Sequence, residues 1–460
     1  MPVNAALILA AGKGTRMKSG LVKVLHELAG RPMLGWPLAA AREAGAAQIV
    51  IVAGHQADQV QQLFPQDAGI RIALQEEQLG TGHAVSCGLP QLDGLTGSVL
   101  ILCGDTPLLT GATLQRLAAE HAVSGAAVTV LTARLDRPFG YGRIVRDSEG
   151  RVRRIVEQKD ASPEEQAIDE VNSGIYCMDL AFLRAHIGRL GSENAQNEYY
   201  LTDLVGIAVA EHAGCTAVVA DDADEIMGVN DRVQLAHAAR ILRQRINLQL
   251  MLSGVTLIDP EQTYIDAGVQ VGNDTIVWPG CVLRGKTTIG SRCELESNVQ
   301  VTDCSIGDRV HLKAGSVLAE SQVSEDVAIG PMAHLRPGTV LQAQVKIGNF
   351  VETKKVVMGV GSKASHLTYL GDAEIGSDVN IGCGTITCNY DGKRKHKTVI
   401  GDGVFVGSDV QLVAPVTVGA NALIAAGTTV TQDVPPDSLA IARTPQINKD
   451  GWCLKKRDNA

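Results

Sequence analysis

Aliphatic residues recur at almost every sixth position through the C-terminal part of the chain. Val271, Val277, Leu283, Ile289, Leu295 and Val301 form one unbroken ladder. After a one-residue slip Ile306, Leu312 and Leu318 continue it, and after another Val323, Ile329, Leu335, Leu341 and Ile347 follow. Ile400, Val406, Leu412, Val418, Ile424 and Val430 form a third ladder. Gly often comes next, as in Ile289-Gly290, Ile347-Gly348 and Val406-Gly407. A period of six fits neither an amphipathic helix nor an alternating strand. It fits hexapeptide repeats, each supplying one short strand and one turn of a stacked parallel β-helix, here from about Val255 onward.

The N-terminal part has a different rhythm. Short apolar runs at Ala5–Ala10, Gln48–Ala53, Ser98–Cys103, Ala127–Ala133 and Val152–Glu157 predict strands, and Pro32–Ala44 predicts a helix. Such alternation predicts a mostly parallel sheet covered by helices, with ligands at the carboxyl ends of its strands. Between the two parts, Leu235, Ala239, Leu242, Ile246 and Leu250 recur at helical spacing and Gly254 follows as a stop signal. The expected division is an α/β Rossmann-like domain over 1–228, a linker helix over 229–252 and a β-helix over 253–460. The hexad pattern breaks between Lys354 and Tyr369 and again over Asn389–Lys397, where functional loops are expected. The tail from Pro435 is polar and predicted to be extended.

Composition narrows the picture. At 460 residues two domains are the natural division. Aromatics make up only 3 %, which suits the narrow interior of a β-helix. A formal charge of −9 argues against a nucleic-acid surface. None of the ten cysteines lies in a C-x-x-C pair, so reduced thiols in a cytosolic protein are expected rather than a disulfide framework. The opening apolar run lacks a basic leader and reads as a buried strand, not a signal peptide. No window reaches the ~18 apolar residues of a membrane span.

Candidate chemistry begins at Leu9-Ala10-Ala11-Gly12-Lys13-Gly14-Thr15-Arg16-Met17, between a strand and a helical stretch. Two glycines permit close backbone approach, successive N–H groups can hold phosphate oxygens, and Lys13 and Arg16 add charge. The segment is neither a P-loop nor a dinucleotide fingerprint, and by itself G-x-G is more often a tight turn. Lys23, the small and amide residues Gln75-Glu76-Glu77-Gln78-Leu79-Gly80-Thr81-Gly82-His83, and Gly104-Asp105 at the end of a strand change that balance. Asp105 could cap a helix or bind Mg²⁺.

With LAAGKGTRM, QLGTGHA, GD, GYGR, VEQKD and NSGIY in that order, the chain resembles the sugar-nucleotidyltransferase family. The resemblance implies that Leu9, Ala10, Ala11, Gly12, Gln75, Gly80 and Thr81 surround the uridine of UTP. Lys13, Arg16 and Lys23 would face phosphates, with Arg16 and Lys23 catalytic. Cys103 and Gly104 would border the site, and Gly140, Glu157 and Asn172 would hold N-acetylglucosamine 1-phosphate. Asp105 and Asn230 would bind Mg²⁺. Cys103 is a departure, since family members can carry Tyr there.

His366 lies in Lys363-Ala364-Ser365-His366-Leu367-Thr368-Tyr369, at a break in the hexads. A lone His is more often structural, but this one has Lys354, Lys355, Lys363 and Tyr369 nearby in sequence. That combination suits an anionic amino sugar whose amine must lose a proton. Here LRPG, NFVETKK, KASHLTYLGDAEIG, TCNYDG, VGSDVQLVAPV and AAGTTVT resemble the acetyltransferase half of the bacterial bifunctional N-acetylglucosamine-1-phosphate uridylyltransferase/glucosamine-1-phosphate N-acetyltransferase family. The resemblance covers nearly the whole chain and implies a left-handed β-helix. It makes His366 the general base, with Glu352 orienting it. Arg336, Lys354, Tyr369 and Asn380 would bind glucosamine 1-phosphate. Cys383, Asn389, Tyr390, Ser408, Ala426 and Arg443 would contact acetyl-CoA, Cys383 standing where the family can have Ala. It also implies a homotrimer with coenzyme A between neighbouring β-helices.

Three other readings remain at this point. One is a single-activity nucleotide-sugar pyrophosphorylase whose β-helix only oligomerises. Another is a zinc hydratase using His311, His334 and His366, although no closely spaced ligand pair is present. The third is a non-catalytic trimeric scaffold.

Overall fold

The structure, a computed structural model, describes residues 3–54, 57–63, 67 and 69–457. The chain divides into two compact units, Met1–Leu242 and Arg243–Ala460. The division falls inside the helix Arg232–Leu252. Its early residues Ala238 and Leu242 pack with Leu28, Met33 and Leu108 of the first unit, and Ile246 and Leu250 pack on the core of the second.

In the first unit, runs of Ile, Leu and Val flanked by turn residues become fully buried central strands. Val3–Ala10 lies between Gln48–Ala53 and Ser98–Cys103, and Gln48–Ala53 also pairs with Ile70–Leu74, all in parallel. The sheet is mostly parallel, as expected, with an antiparallel strand inside it. Glu170–Asp179 runs antiparallel between Ser98–Cys103 and Val128–Arg134, and Cys215–Val219 pairs in parallel with the latter. The helix expected over Pro32–Ala44 begins only at Gly35 and ends at Glu43. Ahead of it Arg31–Pro32 pairs with Glu27–Leu28 across a turn at Ala29 and Gly30, both with left-handed backbone. That turn takes the first residues out of the helix.

The second unit is a three-sided parallel β-helix. Most short strands pair with the third strand along, as Thr256–Leu257 does with Ile276–Val277 and Gln270–Val271 with Thr288–Ile289. One inward column runs Val277, Leu295, Leu312, Ile329, Ile347, Ala364, Ile381, Val406 and Ile424. All nine are buried, each of the larger side chains contributing about 1.5–3 kcal/mol by leaving water. The one-residue slips in the sequence ladders are coils of 17 instead of 18 residues, as in the step from Leu295 to Leu312. The glycine after the aliphatic has a steric cause: a Cβ on Gly348 would collide with the Ser365 carbonyl of the next coil.

Two breaks in the hexads behave differently. The first does not emerge as a loop. Lys346–Met358 and Lys363–Ile375 are 13-residue strands that pair along their length. The second does emerge: Ile381 pairs with Val406, and the added length projects at Tyr390–Lys395, joined by an antiparallel bridge. The tail is not wholly extended, for Leu439–Ala440 joins the prism and Trp452–Arg457 is a short helix. Among the described residues no helix is long and apolar enough to cross a membrane.

Candidate active sites

Strand Val3–Ala10 delivers the Gly-rich loop to the carboxyl edge of the sheet, beside the ends of Ser98–Cys103 and Ile70–Leu74. There a cleft of about 520 Å³ is lined by Leu9, Ala10, Ala11, Gly12, Lys13 and Lys23 on one side. Gln75, Gly80, Thr81, Cys103 and Asp105 line the other, with Gln78 and Glu198. Gln78 donates to the Ala11 carbonyl at 2.6 Å and ties the two walls together. Gly80 has φ 110°, and a Cβ there would meet the Tyr199 carbonyl at 2.7 Å, so the wall closes only around glycine. Gly104 is held by its N–H on the Leu9 carbonyl. Arg16 stands exposed on the turn Thr15–Met17 and is not part of the cleft wall.

One polar contact in the cleft joins three residues far apart in sequence. Lys23 Nζ lies 2.5 Å from Asp105 Oδ2 and donates to Asn230 Oδ1 at 3.2 Å. The Lys23 side chain is 10 % exposed and that of Asp105 24 %. Asp105 does not cap a helix: the Val229 N–H binds its backbone carbonyl, while its carboxylate faces Lys23. Two oxygens, one charged and one neutral, thus hold a cationic group. The same pair suits Mg²⁺, which takes few protein ligands and completes its shell with water and phosphate. Cys103 beside it is half-buried, and desolvation of its sulfur pushes the thiol up to about 12 and keeps it protonated.

Two of the expected sugar residues, Glu157 and Asn172, come together beside Gly142. A Cβ on Gly142 would meet Glu157 Oε1 at 3.4 Å and Asn172 Cβ at 3.5 Å. A bulge in Glu170–Asp179 at Gly174, φ 77°, brings the Cys103 thiol against that backbone, where it donates to the Gly174 carbonyl at 3.6 Å. Asn172 Oδ1 accepts from Gly174 N–H and Tyr176 Oη. The Gly140 N–H donates to Gln158 Oε1, which also accepts from the buried Arg143. Burial pushes the Glu157 carboxyl above its ordinary range, against the opposing pull of the Thr202 hydroxyl.

On the prism, coil length decides which residues meet. His366 pairs in register with Asn349 one coil below, and its Nδ1 lies 3.1 Å from Asn349 Oδ1. Glu352, expected to orient His366, does not. It stacks with His334 and Tyr369 on the following face and accepts from Arg336 at 2.8 Å. The error is one of position along the coil: 17 residues back from His366 is Asn349, three before Glu352.

Above His366 the corner continues upward. Gly384 N–H binds the Leu367 carbonyl, Asp409 N–H the Cys383 carbonyl and Gly427 N–H the Ser408 carbonyl, each at 2.7–2.8 Å. Arg443 Nη1 donates to the Ala426 carbonyl at 3.0 Å. Cys383, Ser408, Ala426 and Arg443 therefore form one track rising from the imidazole. Asn380 stacks on Lys363, on the face before the corner, and Tyr369 lies on the face after it, so the two flank His366. Lys363 accordingly does not join Lys354.

Sequence reasoning missed a third cation. Lys395, from the projecting loop, lies beside Lys354 and near Asp372, and a hydrogen bond between the two amines, ahead of desolvation and the Lys395 charge, holds Lys354 below the ordinary lysine range. The available signal was the basic run Lys393-Arg394-Lys395-His396-Lys397 inside the repeat insertion. The loop is braced by Asp391, which accepts from the Lys393 and Arg394 N–H groups and pairs with His396 at 2.8 Å. Those contacts draw the Asp391 carboxyl down to about 2. Asn389, expected at acetyl-CoA, is 6 % exposed and commits its amide to Asp372, whereas Tyr390 is exposed. Packing a protruding loop onto the prism consumed the nearer polar side chain. Among the described residues no group of three His, Cys, Asp or Glu side chains could hold a metal. His311 is bound to Glu296 and His366 faces Asn349, which leaves the zinc reading without a ligand set.

Comparison with known proteins agrees with both halves. Residues 6–165 match the MobA-like NTP transferase domain, 265–364 the GMPPB C-terminal domain, and 397–432 the bacterial transferase hexapeptide family in six repeats. The hexapeptide match is consistent with a left-handed parallel β-helix. The bifunctional protein GlmU of Trichlorobacter lovleyi is 90 % identical across the full length of both chains. Those of Pelobacter propionicus and Geotalea uraniireducens are 68 % and 61 % identical, each comparison covering 98 % of this chain. Full-length likeness at these levels makes the chain a member of the GlmU family of bifunctional proteins.

Proposed function

We propose that the protein makes UDP-N-acetylglucosamine by two transfers, one in each unit. On the prism, the amine of glucosamine 1-phosphate attacks the thioester carbonyl of acetyl-CoA, and the coenzyme A thiolate leaves. His366 takes the amine proton at Nε2. That nitrogen keeps its lone pair when Nδ1–H donates to Asn349 Oδ1. Arg336, Lys354 and Lys395 hold the sugar phosphate, Tyr369 and Asn380 flank the base, and the track of Cys383, Ser408, Ala426 and Arg443 carries acetyl-CoA.

In the first unit, a phosphate oxygen of N-acetylglucosamine 1-phosphate attacks the α-phosphorus of UTP, and pyrophosphate leaves. The attacking group is already ionised, so no general base is required. Alignment and charge neutralisation do the work. Gln75, Gly80 and Thr81 face the uridine, the backbone of Ala10–Gly12 approaches the phosphates, and Lys13 and Arg16 neutralise them. Gly140, Glu157 and Asn172 hold the sugar. Asp105 and Asn230 would hold Mg²⁺, which when bound neutralises phosphate charge.

The observation that carries this reading is the meeting of Lys23, Asp105 and Asn230 in the glycine-walled cleft, while on the prism His366 faces Asn349 and the cations Arg336, Lys354 and Lys395 gather near Tyr369 on the face that follows. Exposed prism faces and the lateral track favour a homotrimer, and the ten free cysteines favour the cytoplasm. The test mixes protein, glucosamine 1-phosphate, acetyl-CoA, UTP and Mg²⁺, omitting one component at a time. Free coenzyme A should need only the first two substrates, and pyrophosphate should need N-acetylglucosamine 1-phosphate, UTP and Mg²⁺. Pyrophosphate release without any sugar phosphate would overturn the scheme.

A further inference from the structure

Arg143 is 2 % exposed and opens the short strand Arg143–Arg146, directly after the Gly140–Gly142 turn. Among the described residues it has no carboxylate partner, and desolvation draws its guanidinium below the ordinary arginine range. Its donors go instead to neutral oxygens on three segments. Nη1 donates to the Tyr141 carbonyl, inside the turn. Nη2 donates to Gln158 Oε1 at 2.9 Å and to the Gln166 carbonyl at 3.3 Å, at the end of the helix Pro163–Gln166. Nε is buried without a partner. Gln158 Oε1 also accepts from the Gly140 N–H at 3.0 Å. A guanidinium and a backbone N–H can only donate, so the Gln158 amide cannot turn without setting its NH2 against both. The same strand reaches the third sugar residue. Arg143 pairs with Val171, and the Asn172 N–H binds the Gly142 carbonyl at 2.9 Å.

We propose that Arg143 is a positioning residue that sets the affinity of the first unit for the sugar phosphate, by tying the turn that carries Gly140 to the strand end that carries Glu157 and Gln158. The inference rests on the nucleotidyl-transfer reading above. A buried cation with no counter-ion and one unmade bond is a costly way to fill space, since Met or Leu would fill it without desolvating a charge. What the guanidinium supplies is direction. Its planar fork reaches the turn and Gln158 at once, at fixed angles. A lysine ammonium is a single point on a flexible stem and cannot hold both. None of these bonds reaches Gln75, Gly80 or Thr81, so the uridine wall should not feel their loss. Once the tie is cut, the turn and the strand end move independently, and the sugar must order them as it binds.

The experiment cuts the tie at either end. Arg143→Lys keeps the charge and loses the fork. Gln158→Leu removes the shared oxygen at a half-buried position and leaves the other guanidinium bonds in place. Gln158→Glu keeps an oxygen that accepts from both donors. Pyrophosphate release gives KM for N-acetylglucosamine 1-phosphate and for UTP, and calorimetry compares UDP-N-acetylglucosamine with UDP in case turnover is slow. We expect Arg143→Lys and Gln158→Leu each to raise the sugar-phosphate KM about tenfold, the order of one hydrogen bond to a charged group. KM for UTP and the affinity for UDP should stay within about threefold, as should every constant of Gln158→Glu. The double variant Arg143→Lys/Gln158→Leu should be no worse than Arg143→Lys alone, because both changes break one link. An unchanged sugar-phosphate KM, an equal rise for UTP, multiplied effects in the double variant, or a Gln158→Glu protein as weak as Gln158→Leu each overturns the proposal. If Arg143→Lys does not fold, the contrast between Gln158→Leu and Gln158→Glu decides it. Failure of the parent to release pyrophosphate from UTP and the sugar phosphate would instead overturn the nucleotidyl-transfer reading, so the two failures are distinct.

Discussion

Replacing Lys23 with methionine keeps most of the side chain and removes the ammonium that bridges Asp105 and Asn230. Breaking a fully buried pair costs about 3–5 kcal/mol, and an exposed pair contributes about 0–1. With the Asp105 side chain 24 % exposed, this contact falls between, at about 1–3 kcal/mol. In a unit of this size each kcal/mol moves the midpoint by roughly 2–4 °C. Magnesium changes the sign. A unit-charge pair at ~4 Å interacts with about 4 kcal/mol at an effective dielectric of ~20, so an ammonium beside a divalent ion is repelled by about twice that. Lys23 must therefore leave Asp105 when metal arrives, moving its charge toward the phosphates. The Lys23→Met protein should melt lower than the parent in chelator and recover as Mg²⁺ is added. Calorimetry should show it binding Mg²⁺ more tightly than the parent when no nucleotide is present. Uridylyl transfer should fall by roughly 10²-fold or more, since the phosphate loses its cation. Equal melting in chelator, or no gain in metal affinity, would refute an exchange of cations on Asp105.

Further outcomes follow from the same contacts. His366→Ala should slow acetyl transfer by about 10²–10⁴-fold and leave uridylyl transfer intact; loss of both would refute separate sites. Asn349→Asp puts a carboxylate on His366 Nδ1 and should move the acid limb of the acetyl-transfer pH profile upward, whereas Glu352→Gln should chiefly raise KM for the sugar phosphate by freeing Arg336; an unmoved limb in the first would remove Asn349 from the base. Glu157 has a raised folded-state pKa, so its stabilising contribution is present below the ordinary carboxylate range and lost as pH rises through the folded value. Glu157→Gln should therefore melt higher than the parent near pH 8 but not near pH 4, while weakening sugar-phosphate binding; equal shifts at both pH values would count against burial as the cause. Leu412→Ala, at a fully buried prism position, should cost about 2–5 kcal/mol in denaturant unfolding of the second unit, and a cost under 1 would mean the coil collapses around the gap.

The residue pattern alone determined the architecture of the second unit and the location of the Gly-rich loop. Both are local properties. A hexad writes its inward residue every six positions, and a buried strand followed by small residues marks a ligand edge whatever lies beyond it. The helix Arg232–Leu252 was legible for the same reason, through its 3.6-residue period. Boundaries set by turns were less so, and Pro32 left the expected helix because a left-handed Ala29-Gly30 turn claimed it for a hairpin.

The tertiary structure decided everything that depends on summed register or on strand order. Which residue sits under His366 turns on one coil being 17 residues long, for a coil of 18 would put Gly348 there instead of Asn349, a difference invisible to any single repeat. Lys395 reaches Lys354 only because an insertion folds back onto an earlier coil, and Asn389 is buried by that same fold. Asn230 meets Asp105 through Lys23, a contact between segments more than 80 residues apart that no local pattern announces. A sequence encodes short-range periods directly because backbone geometry repeats them. Contacts between distant segments are instead selected by how many elements pack at once, and that is settled only when the whole chain has found its place.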